Sequence, residues 1–208
     1  MIINWYGEGC FKIQSGGLTL LTDVYDSKIG LTPPRGKFDI ELKTLVPWPL
    51  VHEKDVPEGA RIIYGAGEYE IKEVVIHGVP ILKESSEKFL KTAYRVDLED
   101  LKIGFFGHIS EELSPESLEI FSDIDIVFLP TSGKPFIDEE KAVKLIKQIG
   151  PKIIVASFYK TPGLKRSAGD WKKFADELGQ KPEVLEKLTI KKKEIAEQKG
   201  MKLVVLKI

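Results

Sequence analysis

The chain has 208 residues, 42% of them hydrophobic and 30% charged, with 31 Lys+Arg against 32 Asp+Glu, so that its formal net charge is -1. That is enough for one sizeable core, and a single domain over residues 1–208 is expected. No apolar run reaches the roughly 18 residues of a membrane span, and Met1-Ile2-Ile3-Asn4 lacks the layout of a secretory leader, so a cytoplasmic protein is expected, without a membrane partner. The single cysteine, Cys10, excludes an internal disulfide and a thiolate-clustered zinc site.

The charge is unevenly spread. Residues 1–150 carry a net -8 and residues 151–208 a net +7, with Lys191-Lys192-Lys193 in the basic part. Such a segment admits nucleic-acid binding, although no aromatic residues interleave with it, and a solvated face against an acidic layer is the simpler account. Asn occurs once and Gln four times in this highly charged chain, a balance met in heat-adapted proteins.

In chain order, short apolar or alternating runs predict strands at 2–6, 10–14 and 18–21, the last two joined by a Ser15-Gly16-Gly17 turn. Residues 26–36, with Thr32-Pro33-Pro34 and two glycines, read as an irregular connection of the kind that borders a pocket. Strands are expected at 61–64 and 74–77 around a tight turn at Gly65-Ala66-Gly67-Glu68-Tyr69-Glu70. That stretch lacks the Gly-Lys-Ser/Thr of a phosphate-binding loop. Strands at 93–98 and 101–106 follow, joined through Glu99-Asp100. Ser114-Pro115-Glu116 then opens a helix, with Leu118 and Phe121 facing inward.

After a buried strand at 124–129, Asp138 caps a helix whose Ala142, Val143, Ile146 and Ile149 recur at helical spacing, and Gly150-Pro151 stops it. A strand at 152–156, a helix at 169–178 bearing Trp171, Phe174 and Leu178, and a strand at 202–208 complete the chain. Strands first, then alternating helices and strands, imply an α/β architecture of sheets covered by helices.

Five stretches carry a resemblance: Trp5-Tyr6-Gly7-Glu8-Gly9-Cys10-Phe11, Leu20-Leu21-Thr22-Asp23, Tyr64 to Ile71, Gly104-Phe105-Phe106-Gly107-His108 and Tyr159-Lys160-Thr161-Pro162-Gly163. Their order and spacing resemble the metallo-β-lactamase superfamily, and within it the small Zn-dependent hydrolases related to ascorbate-6-phosphate lactonase. The resemblance implies a four-layer αββα sandwich, two mixed sheets face to face with helices outside.

It also implies a set of zinc ligands, since catalytic zinc needs several His nitrogens and carboxylate oxygens converging on one cation. An H-x-H-x-D-H run should follow Asp39-Ile40-Glu41-Leu42, yet Thr44-Leu45-Val46-Pro47-Trp48-Pro49-Leu50-Val51 stands there. Lys83 or its neighbours hold the place of the next ligand, Gly107 is followed by His108 instead of a bridging aspartate, and Phe158 holds the place of the last histidine. His52 lies just beyond the first run, and His77 reads as a structural residue at a strand end.

What remains at the implied pocket is Glu8, Asp23, Lys83, His108, Tyr159 and Lys160. Asp23 falls where the family has an early supporting aspartate, and Glu8 where many relatives have a histidine. His108 paired with Asp23 or Glu8 could serve as a metal-free acid and base, or the group could be a salt-bridge cluster filling an abandoned metal cavity. Cys10 has no histidine near it in sequence and reads as a core residue.

Three readings follow. The first is a degenerate family member without zinc or another cofactor, acting as a binding or scaffolding protein, with a homo-oligomer contact near Trp48. The second is a metal-dependent hydrolase of a phosphorylated or ester-like small molecule, its rearranged site using His52, His108, Asp23 and Glu8. The third is nucleic-acid binding through the basic C-terminal third.

Overall fold

The structure, a computed structural model, describes residues 1–50 and 56–208. Strands β1 (Ile2–Trp5), β2 (Phe11–Ser15) and β3 (Leu18–Thr22) form the expected meander, and β4 (Ile40–Leu42) extends it in parallel after the irregular connection. Next come β5 (Leu45–Pro47), β6 (Arg61–Ile63), β7 (Gly67–Ile71), β8 (Val74–Pro80), β9 (Phe89–Leu98) and β10 (Leu101–Phe105). The second half runs α1 (Pro115–Ile120), β11 (Ile126–Pro130), α2 (Glu139–Ile149), β12 (Ile153–Ser157), α3 (Lys172–Leu178), β13 (Glu183–Leu185), β14 (Leu188–Thr189), α4 (Lys192–Glu197) and β15 (Lys202–Leu206).

Two mixed sheets result. One has the order β14-β1-β2-β3-β4-β6, the other β13-β15-β12-β11-β10-β9-β8-β7, with β5 added against β9. Period-two alternation makes the second sheet buried on both faces. Ile126 and Phe128 of β11 point into the core between the sheets, where they meet Ile3, Trp5, Phe11 and Ile13, while Val127 and Leu129 point outward beneath α2 and α3 with Val143, Ile146 and Phe174. The α/β class and the layered sandwich of the resembled family are therefore both present, with helices α1 to α3 covering the outer face of the second sheet.

Local chemistry accounts for the element ends. Asp138 accepts from the backbone N–H of Lys141 at the start of α2, and Gly150 closes that helix in the left-handed region at φ 66°. The glycine-rich stretch at 65–70 departs from the expected turn. Residues 67–71 form a strand paired with β8, and the reversal falls at Lys72-Glu73, both at positive φ. Tyr69 and Ile71 alternate onto the core, and Gly78 opposite lets the Gly65 carbonyl approach to where a Cβ would stand only 2.4 Å away.

Strands β3, β4, β10, β11 and β12 all end toward one rim, because β3/β4 and β10/β11/β12 are parallel sets. The residues just past these carboxyl ends, Asp23, Thr44, Gly107-His108 and Phe158, converge there, in the crevice that open α/β sheets use for ligands.

A candidate small-molecule cleft

At that rim a cleft of about 410 Å³ is lined by Glu8, Gly9, Asp23, Tyr25, Ile29, His108, Phe158, Leu164, Lys165 and Arg166. Its floor is a chain of short hydrogen bonds. Asp23 accepts from the Thr44 backbone N–H through Oδ1 at 2.7 Å and from the Thr44 hydroxyl through Oδ2 at 2.6 Å, and Thr44 Oγ1 stands 2.7 Å from His108 Nδ1. Asp23 and His108 are 3.7 Å apart, so the threonine bridges them.

Two glycines make this approach possible. A Cβ on residue 107 would stand 2.0 Å from Thr44 Oγ1, and one on residue 9 would stand 2.6 Å from the Phe158 ring and 2.9 Å from Asp23 Oδ2. A second chain of contacts forms the wall. Glu8 Oε2 accepts from Arg166 Nε at 2.8 Å, and Arg166 also donates to the Phe158 carbonyl at 2.8 Å. The guanidinium lies 5.3 Å from the Phe136 ring centre, and Phe136, Phe158 and His108 pack ring against ring.

Glu8, Asp23 and Phe158 all have positive φ, at 52°, 41° and 59°. Outliers of this kind cost on the order of 1–3 kcal/mol each and persist only where neighbours over-determine them. Phe158 is held on both sides: its N–H donates to the Glu8 carbonyl, and its own carbonyl accepts from Ser132 as well as Arg166. Trp5 fixes Glu8 in turn by donating from its indole to the Glu8 carbonyl at 3.0 Å.

Burial sets the electrostatics. It holds the His108 pKa below the usual 6.5, an effect that Asp23 opposes and that Lys91 and Arg166 reinforce. Burial likewise raises the Glu8 carboxyl pKa above its usual 4.5, against the lowering hydrogen bond and charge of Arg166. Glu8 Oε1 is buried and accepts no hydrogen bond among the described residues.

Of the residues read from the sequence, Glu8, Asp23 and His108 meet in this cleft. Lys83, Tyr159 and Lys160 do not. Lys83 is exposed beside a separate groove with Leu82, Leu113 and Ile120, because the chain turns away from the rim at residues 81–85. Tyr159 is buried in the inter-sheet core, stacked on Trp5 at 4.3 Å between ring centres and donating to the Leu206 carbonyl. Lys160 is exposed, tied to the Gly169 carbonyl only through its backbone N–H.

His52 lies outside the described residues. His77 faces Glu68 across the β7–β8 ladder, 3.7 Å away. Cys10 is buried, and burial pushes its thiol pKa up, leaving it a packing residue without thiolate character. Lys191, Lys192 and Lys193 stand within 4 Å of Glu194, Asp100 and Glu197, respectively. Thr44 and Arg166 are site residues that sequence reasoning missed. Thr44 opens the stretch in which the first metal ligands are replaced, and Arg166 lies a few residues past the Tyr-Lys-Thr-Pro-Gly motif, an arginine in a segment otherwise rich in lysine.

Among the described residues no group of three or more His, Cys, Asp or Glu side chains is placed to hold a metal ion. The donors present do not fit a catalytic zinc. Both Asp23 oxygens accept from Thr44, His108 Nδ1 is engaged by the same residue, Glu8 is paired with a guanidinium, and Phe158 offers no lone pair.

Comparison with known proteins agrees with this fold. Residues 2–157 match the family model of the β-lactamase superfamily domain. A protein from Thermotoga maritima, described as a Zn-dependent hydrolase of the metallo-β-lactamase superfamily, superposes with a TM-score of 0.79 at 22% identity, over 99% of this chain and 98% of that one. A metallo hydrolase from the hyperthermophilic archaeon Ignicoccus hospitalis superposes with a TM-score of 0.60 at 14% identity, over 99% and 94% of the two chains. A metallo-β-lactamase fold protein from Bacillus subtilis does so at 0.59 and 10%, over 99% and 96%. With a family model matched from β1 to the end of β12 and the same fold along nearly the whole chain, this protein belongs to the metallo-β-lactamase superfamily.

Proposed function

We propose that this protein is a family member whose ancestral metal pocket has become a metal-free binding cleft for a small molecule. The observation that carries the reading is the Asp23–Thr44–His108 chain. The donors that a cation would need are spent on one another at 2.6–2.7 Å, and Arg166 brings a permanent positive charge to the same wall. The cleft has the usual make-up of a ligand site, an apolar lining from Ile29, Phe158 and Leu164 with a few fixed polar groups.

Metal content decides between this reading and a rearranged metal-dependent hydrolase that recruits His52. Protein purified without chelator, then soaked in zinc and dialysed, is expected to retain close to no zinc, manganese or iron by mass spectrometry. One or more equivalents retained, together with hydrolase turnover lost in His108→Ala, would establish the hydrolase instead.

A scaffolding role through Trp48 is a companion proposal. The indole is 51% exposed and its backbone N–H donates to the Lys88 carbonyl, beside the partly exposed Phe89, an apolar surface suited to a second copy of the chain.

A further inference from the structure

Proton counting along the floor of the cleft fixes more than its shape. An ionised carboxylate only accepts, and a threonine hydroxyl has one proton to give. At 2.6 Å from Asp23 Oδ2, the Thr44 proton belongs to that contact, so Thr44 Oγ1 meets His108 Nδ1 with a lone pair. The hydrogen in the 2.7 Å contact is then the imidazole's own, and in a neutral ring Nε2 is left as a bare acceptor. Nε2 has no hydrogen-bond partner among the described residues, and the histidine lines the cleft.

The second observation is charge. Glu8 is paired with Arg166, and both Asp23 oxygens accept from Thr44, whereas the exposed Lys165 at the same wall has no ion-pair partner among the described residues. Although the formal charges of the lining balance, the Lys165 ammonium is therefore the one left without an ion pair among those residues.

We propose that Asp23 and Thr44 lock His108 as the Nδ1–H tautomer, and that the cleft takes a small molecule with an apolar body, an O–H or N–H that donates to His108 Nε2, and an anionic group directed to Lys165. Thr44 is a positioning residue in this scheme and His108 the group that touches the ligand. The proposal rests on the metal-free reading above. The lowered pKa of His108 keeps the ring neutral near pH 7, in agreement with an acceptor role.

The test uses full-length, 15N-labelled protein with its metal content measured first, so that a bound metal would overturn the metal-free reading while a wrong tautomer in metal-free protein would overturn only this proposal. Long-range proton–nitrogen correlation spectra at pH 7.5 are expected to show a protonated Nδ1 and a bare Nε2 at His108. Thr44→Ser should keep that pattern, and Thr44→Val should revert toward the Nε2–H form. An Nε2–H ring in the wild type overturns the lock even if the valine variant fails to fold.

Titration with 4-hydroxybenzoate and with benzoate then tests the ligand class. The hydroxylated probe is expected to shift the His108 Nε2 resonance and to bind about tenfold tighter, the worth of one good hydrogen bond. It should lose affinity in Lys165→Ala. Equal affinity for the two probes, or no response of His108 to either, overturns the proposed ligand chemistry.

Discussion

Gly107 and Thr44 approach so closely that a methyl group on residue 107 would stand 2.0 Å from Thr44 Oγ1. Thr44 is itself buried and held by Asp23, so it has no flexible tip that could move aside. Gly107→Ala should therefore destabilise the fold by about 1–3 kcal/mol through overpacking. Urea denaturation would show this as a lower midpoint at unchanged slope, and a wild-type midpoint would mean that the rim relaxes freely.

Thr44→Val keeps the shape of the side chain but leaves one Asp23 oxygen and His108 Nδ1 without their shared partner. The expected loss of stability is about 1–3 kcal/mol, the desolvation penalty of a buried unsatisfied group. Thr44→Ser should recover most of it. Comparing the two melting temperatures separates the hydroxyl's contribution from that of the methyl group.

The depressed pKa of His108 couples stability to pH. Above the ordinary value of 6.5 the ring is neutral both folded and unfolded, and the coupling vanishes. As pH falls below 6.5 the unfolded chain takes up a proton that the folded protein resists, so stability declines until the folded pKa is reached. Wild-type protein should lose denaturation midpoint between pH 7.5 and 5.5 more steeply than His108→Gln. Parallel curves would assign the acid sensitivity to other groups.

Glu8 and Arg166 should be non-additive. Arg166→Met leaves the Glu8 carboxyl buried with Oε1 already lacking a partner, so the single variant should lose roughly 1–2 kcal/mol, at the low end for charged hydrogen bonds because Arg166 is 29% exposed. Adding Glu8→Gln should restore part of the loss. A double-mutant cycle measured by chemical denaturation gives the coupling directly.

Trp48→Glu tests the apolar surface near Phe89. The expected outcome is an oligomer in the wild type, seen by sedimentation at micromolar concentration, and a monomer of unchanged fold in the variant, because a desolvated carboxylate opposes association at an apolar contact. A monomeric wild type would remove the scaffolding role.

The sequence by itself determined the α/β class, most of the strands and the caps of α2, because these depend on local chemistry, while the other residues at the family's metal-ligand positions were legible only through the resemblance. A period of two or 3.6 residues, an Asp at a helix start and a Gly at its end act over a few residues. His108, Asp23 and Glu8 were legible as candidates because they fall at the ends of recognisable stretches. Their distances were not, and neither were the roles of Thr44 and Arg166. Thr44 is 64 residues from His108 and Arg166 is 158 from Glu8, and only the parallel strand ends and the Phe158 clamp bring them together.

Lys83, Tyr159 and Lys160 carry the converse lesson. Adjacency to a motif placed them at the pocket, whereas past the end of β12 the chain takes a left-handed conformation at Phe158, which faces the cleft, while Tyr159 is buried in the core and Lys160 is exposed to solvent. Which atoms share protons at the rim is a property of contacts closed across the whole chain, and only the tertiary structure decided it.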